Sequence, residues 1–168
     1  ACITALTISG LGTRRFCFEA FLPVDKKEKQ WILEELKTET RTIILYEAPH
    51  HLLRTLGELY EALGDRRAAV CRELTKKYET AFRTTLGEAV RYYGANEPKG
   101  ECVIVIEGRS IRDLKAEGQE DWKEMPLNQH MEHYLSQGRD KKEAMKLVAK
   151  DRGVSKREVY QQLLEDGE

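Results

Sequence analysis

The sequence predicts an α/β domain, with a mixed sheet and flanking helices, that is followed by a small helical unit. Residues 43–45, 68–71 and 102–106 are apolar runs typical of buried strands, and segments of helical period separate them. Residues 79–84 form another strand-like segment directly after the second run, which leaves room for an antiparallel pair. Every pattern beyond Pro126 is helical.

The composition of the chain bounds its size class and its partners. Its 168 residues, 40% of them hydrophobic and 34% charged, suffice for one ordinary core and a small appendage. The net charge of -1 means that any nucleic-acid contact has to come from a local basic patch. The four cysteines are scattered among apolar neighbours and predict buried thiols, with no metal site. With no signal peptide or membrane-spanning stretch in the sequence, we expect a soluble cytoplasmic protein without a membrane partner.

The amino-terminal segments fit this pattern in order. Residues 3–8 have the apolar face of a helix that ends at Gly10, and because the chain starts within this helix we expect it to be the second part of a larger protein. In residues 14–22, Phe16 and Phe18 alternate with polar neighbours, which predicts a half-buried strand with the phenylalanines inward. A capping box at Asp25 then begins a helix whose predicted apolar stripe consists of Trp31, Ile32 and Leu36.

The clearest candidate site lies where the strand at residues 43–45 meets the next helix. Tyr46, Glu47 and His50 follow the strand, and Pro49 suits the first turn of the helix predicted to end at Leu63. Polar side chains at a strand end, beside the free amides of a helix start, form ligand sites in many α/β proteins. The alternative is that these residues only cap the strand.

Two further strands end in the same manner. The strand at residues 68–71 leads into Arg72, Glu73, Leu74, Thr75 and Lys76. The strand at residues 102–106 is the most apolar of the three and ends in Glu107-Gly108. A repeated pattern of this kind favours a ligand site over simple strand capping.

The carboxyl-terminal third divides into a linker and a helical unit. Residues 110–125 are charged and nearly free of apolar anchors, which predicts a linker between a domain at 1–109 and a domain at 126–168. Within the second domain, Ala149, Gly153 and Val159 have the spacing of a helix-turn-helix.

Basic side chains lie on these last helices. These side chains form either a nucleic-acid-binding surface or an ordinary solvent-exposed helix face. The candidate RNA-binding residues are Lys141, Lys142, Lys156 and Arg157.

Three segments together resemble one known family: YEAPH at 46–50, RELTKKYE at 72–79 and KGECVIVIEG at 99–108. They are similar to the second half of the ribosomal small-subunit methyltransferase I family, in the tetrapyrrole methylase superfamily. Residues 1–11 and 15–23 and the terminal helices also resemble it. That family methylates a cytidine ribose 2′-hydroxyl of 16S rRNA with S-adenosylmethionine.

The resemblance implies several further expectations. The chain would be the carboxyl-terminal half of such an enzyme and inactive alone, with 16S rRNA or the small subunit, a missing amino-terminal domain and a second copy in a homodimer as partners. His51 departs from the arginine that is usual in the family, so no RNA contact is carried over to that position. The cofactor contacts that carry over are Ala1, Tyr46, Leu74, Glu107 and Gly108.

Methyl transfer to a ribose hydroxyl needs orientation of the two reactants and benefits from a base. The base candidates in this chain are Glu47, Glu73 and His50, and the sequence does not select one of them. Two alternatives to the rRNA enzyme stay open. They are a fragment of a porphyrin or corrin methyltransferase and a DNA-binding regulator with an α/β sensor domain.

Overall fold

The computed structural model describes residues 1–165, which form two compact units. The first unit comprises residues 1–110 and contains the sheet, and the second begins at Ile111 and is helical. The predicted class of a mixed sheet with flanking helices is confirmed. No helix in the described range is long and apolar enough to cross a membrane.

The described strands of the first unit form a single five-stranded sheet. They are β1 (Phe16–Ala20), β2 (Thr42–Glu47), β3 (Arg67–Arg72), β4 (Thr80–Thr85) and β5 (Cys102–Ile106). Their order across the sheet is β1-β2-β5-β3-β4. β1 and β2 are parallel, β5 is antiparallel to both β2 and β3, and β4 is antiparallel to β3. Consequently β2 and β3 end at the sheet edge where β5 begins.

Helices cover the two faces of this sheet unequally. The helices of the first unit are α1 (Cys2–Ser9), α2 (Lys26–Leu36), α3 (Leu52–Leu63) and α4 (Leu86–Ala95). Leucines of α2, α3 and α4 pack against one face, and Ala5 and Leu6 of α1 pack against the other. Each fully buried leucine or isoleucine stabilises the fold by roughly 2 kcal/mol. The strand residues on the three-helix face include Ile43, Leu45, Val70 and Ile104, and those on the α1 face include Ile44, Ala69, Val103 and Val105.

The unequal cover explains why two predictions of inward-facing residues were wrong. In β1 the buried residue is Cys17, whereas Phe16 and Phe18 lie on the opposite face and are 36% and 45% exposed. That face is covered by α1 alone, and β1 is the edge strand farthest from β4. In α2, Leu36 of the predicted stripe is buried and Ile32 packs against the core, but Trp31 is exposed and Leu33 is buried instead.

The segment predicted to be a linker is instead the helix α5 (Ile111–Glu124), which belongs to the second unit. Few residues of this segment are apolar, and α5 has no buried residue. Its residues are mostly good helix formers, and the Lys123 ammonium lies 3.0 Å from the Glu120 carboxylate one turn away. Helix propensity and one aromatic anchor, Trp122, therefore order a segment whose composition predicts a linker.

The remaining helices form a small core of their own. They are α6 (Leu127–Leu135), α7 (Lys141–Arg152) and α8 (Lys156–Glu165), while residues 166–168 of the predicted domain lie outside the described residues. Gly153 ends α7 with a left-handed φ of 66°, and Ala149 and Val159 are both buried between the helices. A capping box begins α8, because Ser155 and Glu158 exchange hydrogen bonds. Whether this helix pair is a nucleic-acid-binding helix-turn-helix stays a prediction.

A buried histidine fastens α5, α6 and α7 together. The His130 ring has no exposed surface and stacks on Trp122 with 4.1 Å between ring centroids. Its Nδ1 accepts a hydrogen bond from Arg152 Nε at 3.1 Å, so its Nε2 carries the proton and donates to Asp151 at 3.3 Å. The Tyr134 hydroxyl also donates to Asp151, which raises the pKa of Tyr134 to about 12. His130 is therefore built into the network in its neutral form.

Burial lowers the pKa of His130 below its ordinary value of 6.5, against the opposing effect of Asp151. The unfolded chain therefore binds a proton at a higher pH than the folded chain does. Stability is fully present above pH 6.5 and falls as the pH drops below 6.5 towards the folded pKa. We expect the unfolding free energy of the helical unit to decrease between pH 7.5 and pH 5.5, where ordinary carboxylates with pKa values of about 4 contribute little.

Urea unfolding followed by Trp122 fluorescence in a Trp31→Phe background checks this pH dependence. His130→Gln should be less stable than the parent at pH 7.5 and should lose the slope. His133→Gln, which changes an exposed histidine on the same helix, is the matched control and should keep the slope. An equal slope in the parent and in His130→Gln would contradict the assignment.

Candidate functional site

The three strand ends predicted to form a site do not lie at one edge of the sheet. Glu47 and Arg72, at the ends of β2 and β3, both pair with Cys102, the first residue of β5. The last residue of β5, Ile106, pairs instead with the beginnings of β2 and β3. At about 3.4 Å per residue, Glu107 therefore lies roughly 17 Å from the edge that carries the ends of β2 and β3, and Gly108 lies farther still.

The contacts of Glu107 and Gly108 are those of structural residues. Glu107 lies 3.3 Å from the Arg67 guanidinium. A Cβ on Gly108 would stand 2.3 Å from the carbonyl group of Thr40, so only glycine fits there without a backbone shift. The structure does not bring these two residues together with Ala1, Tyr46 and Leu74, the other predicted cofactor contacts.

A cleft of about 370 Å³ opens at the edge where β2 and β3 end. Three of the predicted site residues line it, namely Ala1, Tyr46 and Glu47. The lining residues that sequence reasoning did not assign to the site are Phe21, Ala48, Pro49, Glu101, Cys102 and Val103. The antiparallel direction of β5 brings its first residues to this edge, and the sequence of β5 carries no signal of that direction.

Tyr46 joins the cleft to the start of α1. Its hydroxyl accepts a hydrogen bond from the Cys2 backbone amide at 3.0 Å, which satisfies one of the free amides of that helix start. Its ring lies edge-on to Phe18 and Phe21, with centroid distances of 4.8 Å and 5.8 Å. Leu74 packs against the same apolar cluster. The predicted contacts Ala1, Tyr46 and Leu74 thus lie on one side of the sheet.

Glu47 faces the opposite side of the sheet and both of its carboxylate oxygens accept hydrogen bonds. Oε1 accepts from the Ala48 amide at 2.8 Å, and Oε2 accepts from the Thr55 hydroxyl of α3 at 2.6 Å. The residue is only 9% exposed, and the Nδ1 atom of the His51 ring lies 3.9 Å from Oε1. Glu47 therefore holds the first turn of α3 against the end of β2 while it lines the cleft.

His50 lies on the 3₁₀ turn Pro49–His51, which precedes α3 and replaces the first turn of the predicted helix. It is exposed, and its ring centroid is 4.1 Å from that of His51. Of the three base candidates, Glu47 is among the residues that line the cleft, whereas His50 and Glu73 are not.

Glu73 braces the loop after β3 against the residues before β5. Its Oε1 accepts a hydrogen bond from the Glu101 amide at 3.1 Å and lies 3.4 Å from the Lys76 ammonium. A Cβ on Gly100, which has a φ of 78°, would stand 2.0 Å from the same oxygen. Glu73 and Thr75 both have positive φ, 50° and 63°, which is uncommon for residues other than glycine. The loop is therefore held in one unusual conformation.

Other chemistry at the cleft is limited by the residues present. Burial raises the pKa of the Cys102 thiol to about 11, so it is protonated at neutral pH. Within residues 1–165 no group of three or more histidine, cysteine, aspartate or glutamate side chains is arranged to hold a metal ion. Apolar walls with carboxylates at the rim suit a ligand that combines an aromatic or apolar body with positive charge.

The four predicted RNA-binding residues are exposed and lie on the helical unit as two pairs. Lys141 and Lys142 begin α7, and Lys156 and Arg157 begin α8 after the turn at Gly153. Between the pairs, Lys146 and Lys150 continue from Lys142 at intervals of four residues, which places them on one side of α7. Together these residues form a basic stripe along an exposed helix.

The chain is similar in sequence to several known proteins. A family model described as Tetrapyrrole (Corrin/Porphyrin) Methylases matches residues 1–90. A protein named Ribosomal RNA small subunit methyltransferase I from Bacillus subtilis (strain 168) is 46% identical over 95% of this chain and 54% of its own length. Proteins of that name from Synechocystis sp. and Escherichia coli O157:H7 are 40% and 36% identical, each over 98% of this chain, and over 58% and 56% of their own lengths.

Among solved structures, a cobalt precorrin-4 methyltransferase matches 63% of this chain and 48% of its own, with a TM-score of 0.49 and 19% identity. The chain spans a little over half the length of the curated relatives that it matches.

The dual position of Glu47 generates a stability prediction. Thr55→Val removes the hydroxyl that binds Oε2 and leaves a nearly buried carboxylate oxygen without this partner, so we expect a loss of about 2 kcal/mol in unfolding free energy. Thr7→Val, the same change at an exposed helical position in α1, should change it by less than about 0.5 kcal/mol. Denaturant unfolding measures both variants. Equal losses would show that the bond between Thr55 and Glu47 does not stabilise the junction.

Proposed function

The chain belongs to the tetrapyrrole (corrin/porphyrin) methylase family, and from this premise we propose that it forms part of an S-adenosylmethionine-dependent methyltransferase that acts on ribosomal RNA. The observation that carries the proposal is its 46% identity, over 95% of the chain, to a protein named Ribosomal RNA small subunit methyltransferase I. The finer proposal is that the target is a cytidine ribose 2′-hydroxyl of 16S rRNA. The partner would then be 16S rRNA or the small ribosomal subunit, and the compartment the cytoplasm.

The cleft fits one side of S-adenosylmethionine. The rings of Phe21 and Tyr46 and the Val103 side chain offer apolar walls for an adenine, and Glu47 and Glu101 place carboxylates at the same opening. Carboxylates favour the positive charges of a sulfonium and an ammonium group. When bound, S-adenosylmethionine supplies an electrophilic methyl group. The role proposed for this chain's residues is to orient it and to exclude water.

The contacts of the base candidates favour distinct roles for them. Glu47 and Glu73 use carboxylate oxygens to hold α3 and the loop before β4, which suits positioning of the site. The His50 side chain makes no hydrogen bond or ion pair within residues 1–165, so its ring nitrogens are not engaged in holding the fold. We therefore propose His50 as the first of the three to test as the base.

A further part of the proposal concerns what completes the site. The relatives are longer than this chain, and Phe18 and Phe21 leave exposed aromatic surface beside the cleft. An amino-terminal domain of the same protein would cover this surface and supply the second wall. A homodimer stays a prediction.

One alternative function is favoured by a specific observation, the tetrapyrrole description of the matching family model. A methyl-transfer assay with labelled S-adenosylmethionine distinguishes the two, because the proposal expects label in small-subunit RNA and none in a porphyrin or corrin acceptor. The protein assayed has to include the amino-terminal domain. Family membership favours a methyltransferase over the DNA-binding regulator.

Because the site in this chain is incomplete under the proposal, we predict that the chain has a low affinity for the cofactor. This chain alone should bind S-adenosylmethionine at least tenfold more weakly than a form that includes the amino-terminal domain, because only one wall of the site is present. Isothermal titration calorimetry measures both forms. Equal affinity would mean that the cofactor site lies wholly within this chain.

The basic stripe generates a prediction about salt dependence. Changing Lys141, Lys142, Lys156 and Arg157 to glutamine should weaken binding to small-subunit RNA and leave cofactor affinity unchanged. Each lost phosphate contact should also flatten the plot of log K against log salt concentration by about 0.7–0.9 units.

The chain provides a matched control for this experiment. Lys26 and Lys27 follow Asp25 at the start of α2, as Lys141 and Lys142 follow Asp140 at the start of α7, and all four lysines are exposed. Changing Lys26 and Lys27 to glutamine should leave the slope unchanged. If both sets of variants have the parent slope in filter-binding assays, the stripe is a solvated face.

A further inference from the structure

The loop between β3 and β4 presents an aromatic ring and a cation to solvent at the edge of the sheet that carries the cleft. Tyr78 is 69% exposed, and the Lys77 ammonium lies 5.6 Å from the centroid of its ring. Within residues 1–165, Lys77 forms no salt bridge. A single exposed tyrosine is ordinary on a protein surface, so its significance depends on the loop that holds it.

The backbone of this loop is fixed on both sides of the ring. The Thr75 amide donates to the Glu79 carboxylate at 2.7 Å, and the Glu79 amide donates to the Lys76 carbonyl at 3.2 Å. The Glu73 amide donates to the Glu101 carbonyl at 3.2 Å, which ties the loop to the start of β5. The loop contains two residues other than glycine with positive φ, Glu73 and Thr75. Backbone strain that is retained at an exposed loop beside a cleft is typical of functional sites.

The two lysines of the loop differ in whether they form ion pairs. Lys76 lies 3.4 Å from Glu73 and 3.3 Å from Glu101, so its charge is used to hold the loop. Lys77 and Tyr78 are left facing solvent as an adjacent cation and aromatic ring. An aromatic ring for a base beside a cation for a phosphate is the combination that binds single-stranded nucleic acid.

We propose that Tyr78 and Lys77 bind a single-stranded segment of the RNA substrate next to the methylated nucleotide, with Tyr78 stacked on a base and Lys77 near a phosphate. This inference rests on the proposed function, because it assumes an RNA substrate. It adds a contact on the α/β unit that is independent of the basic stripe on the helical unit. Stacking accepts any base, so the loop would add affinity and position without selecting a sequence.

The test measures binding of a fluorescein-labelled single-stranded RNA of ten cytidines to the full chain by anisotropy. Tyr78→Ala should weaken binding roughly 5- to 100-fold, and Tyr78→Phe should retain the parent affinity because the ring is kept. Lys77→Gln should weaken binding and flatten the salt dependence by about 0.7 units. Tyr60→Ala, which removes a partly exposed tyrosine near the far end of α3, is the control and should bind as the parent does.

The outcomes separate this inference from the proposed function. If the parent binds the RNA and Tyr78→Ala binds it equally well, the loop contact is overturned while the RNA substrate stands. If Tyr78→Ala binds RNA normally but binds small subunits more weakly, the loop contacts ribosomal protein, which also overturns the inference. If the parent does not bind the RNA, the inference is overturned, and the assay for methyl transfer to small-subunit RNA decides the proposed function by itself.

Discussion

The α/β unit depends on the position and direction of β5, which is inserted between β2 and β3 and runs antiparallel to both. All five residues of β5 are buried, and Ile104, at its centre, pairs with Leu45 on one side and Val70 on the other. In a fully parallel sheet, ligands gather where every strand has its carboxyl end. Here the corresponding edge combines the ends of two strands with the beginning of a third. The residues just before Cys102 therefore belong to the candidate site, and those just after Ile106 do not.

This arrangement leaves backbone groups at the edge that the sheet itself does not pair, and Glu73 pairs several of them. Its amide binds the Glu101 carbonyl, and its carboxylate binds the Glu101 amide. Gly100 leaves the space that the carboxylate occupies, since any side chain there would displace it. A glutamate that looks like a catalytic candidate in the sequence is thus the residue that joins two segments of the site. The Lys76 ammonium also balances the charge of the Glu73 carboxylate, which stabilises the contact between the two segments.

The distance in sequence between interacting groups decided which features of the fold could be predicted. The helix cap predicted at Asp25 depends on residues within three positions, and the structure contains it. The direction of β5 depends on partners 30 or more residues away, and nothing within the strand records it. The same holds for Phe16 and Phe18, whose alternation identifies a strand but does not say which face the helices cover. The predicted linker failed for another reason, because propensity and a single ring stacked on His130 order α5 without a buried apolar stripe.

Side-chain alternation along β2 gives Tyr46 and Glu47 separate tasks although they are neighbours in sequence. Tyr46 turns towards α1 and holds the Cys2 amide, whereas Glu47 turns towards α3 and holds the Thr55 hydroxyl. The end of one strand therefore fixes the starting positions of helices on opposite faces of the sheet. Because both side chains also line the cleft, the shape of the cleft and the positions of α1 and α3 are coupled through β2. A ligand that contacts Tyr46 and Glu47 meets groups already held by hydrogen bonds, so little side-chain entropy remains to be lost when it binds.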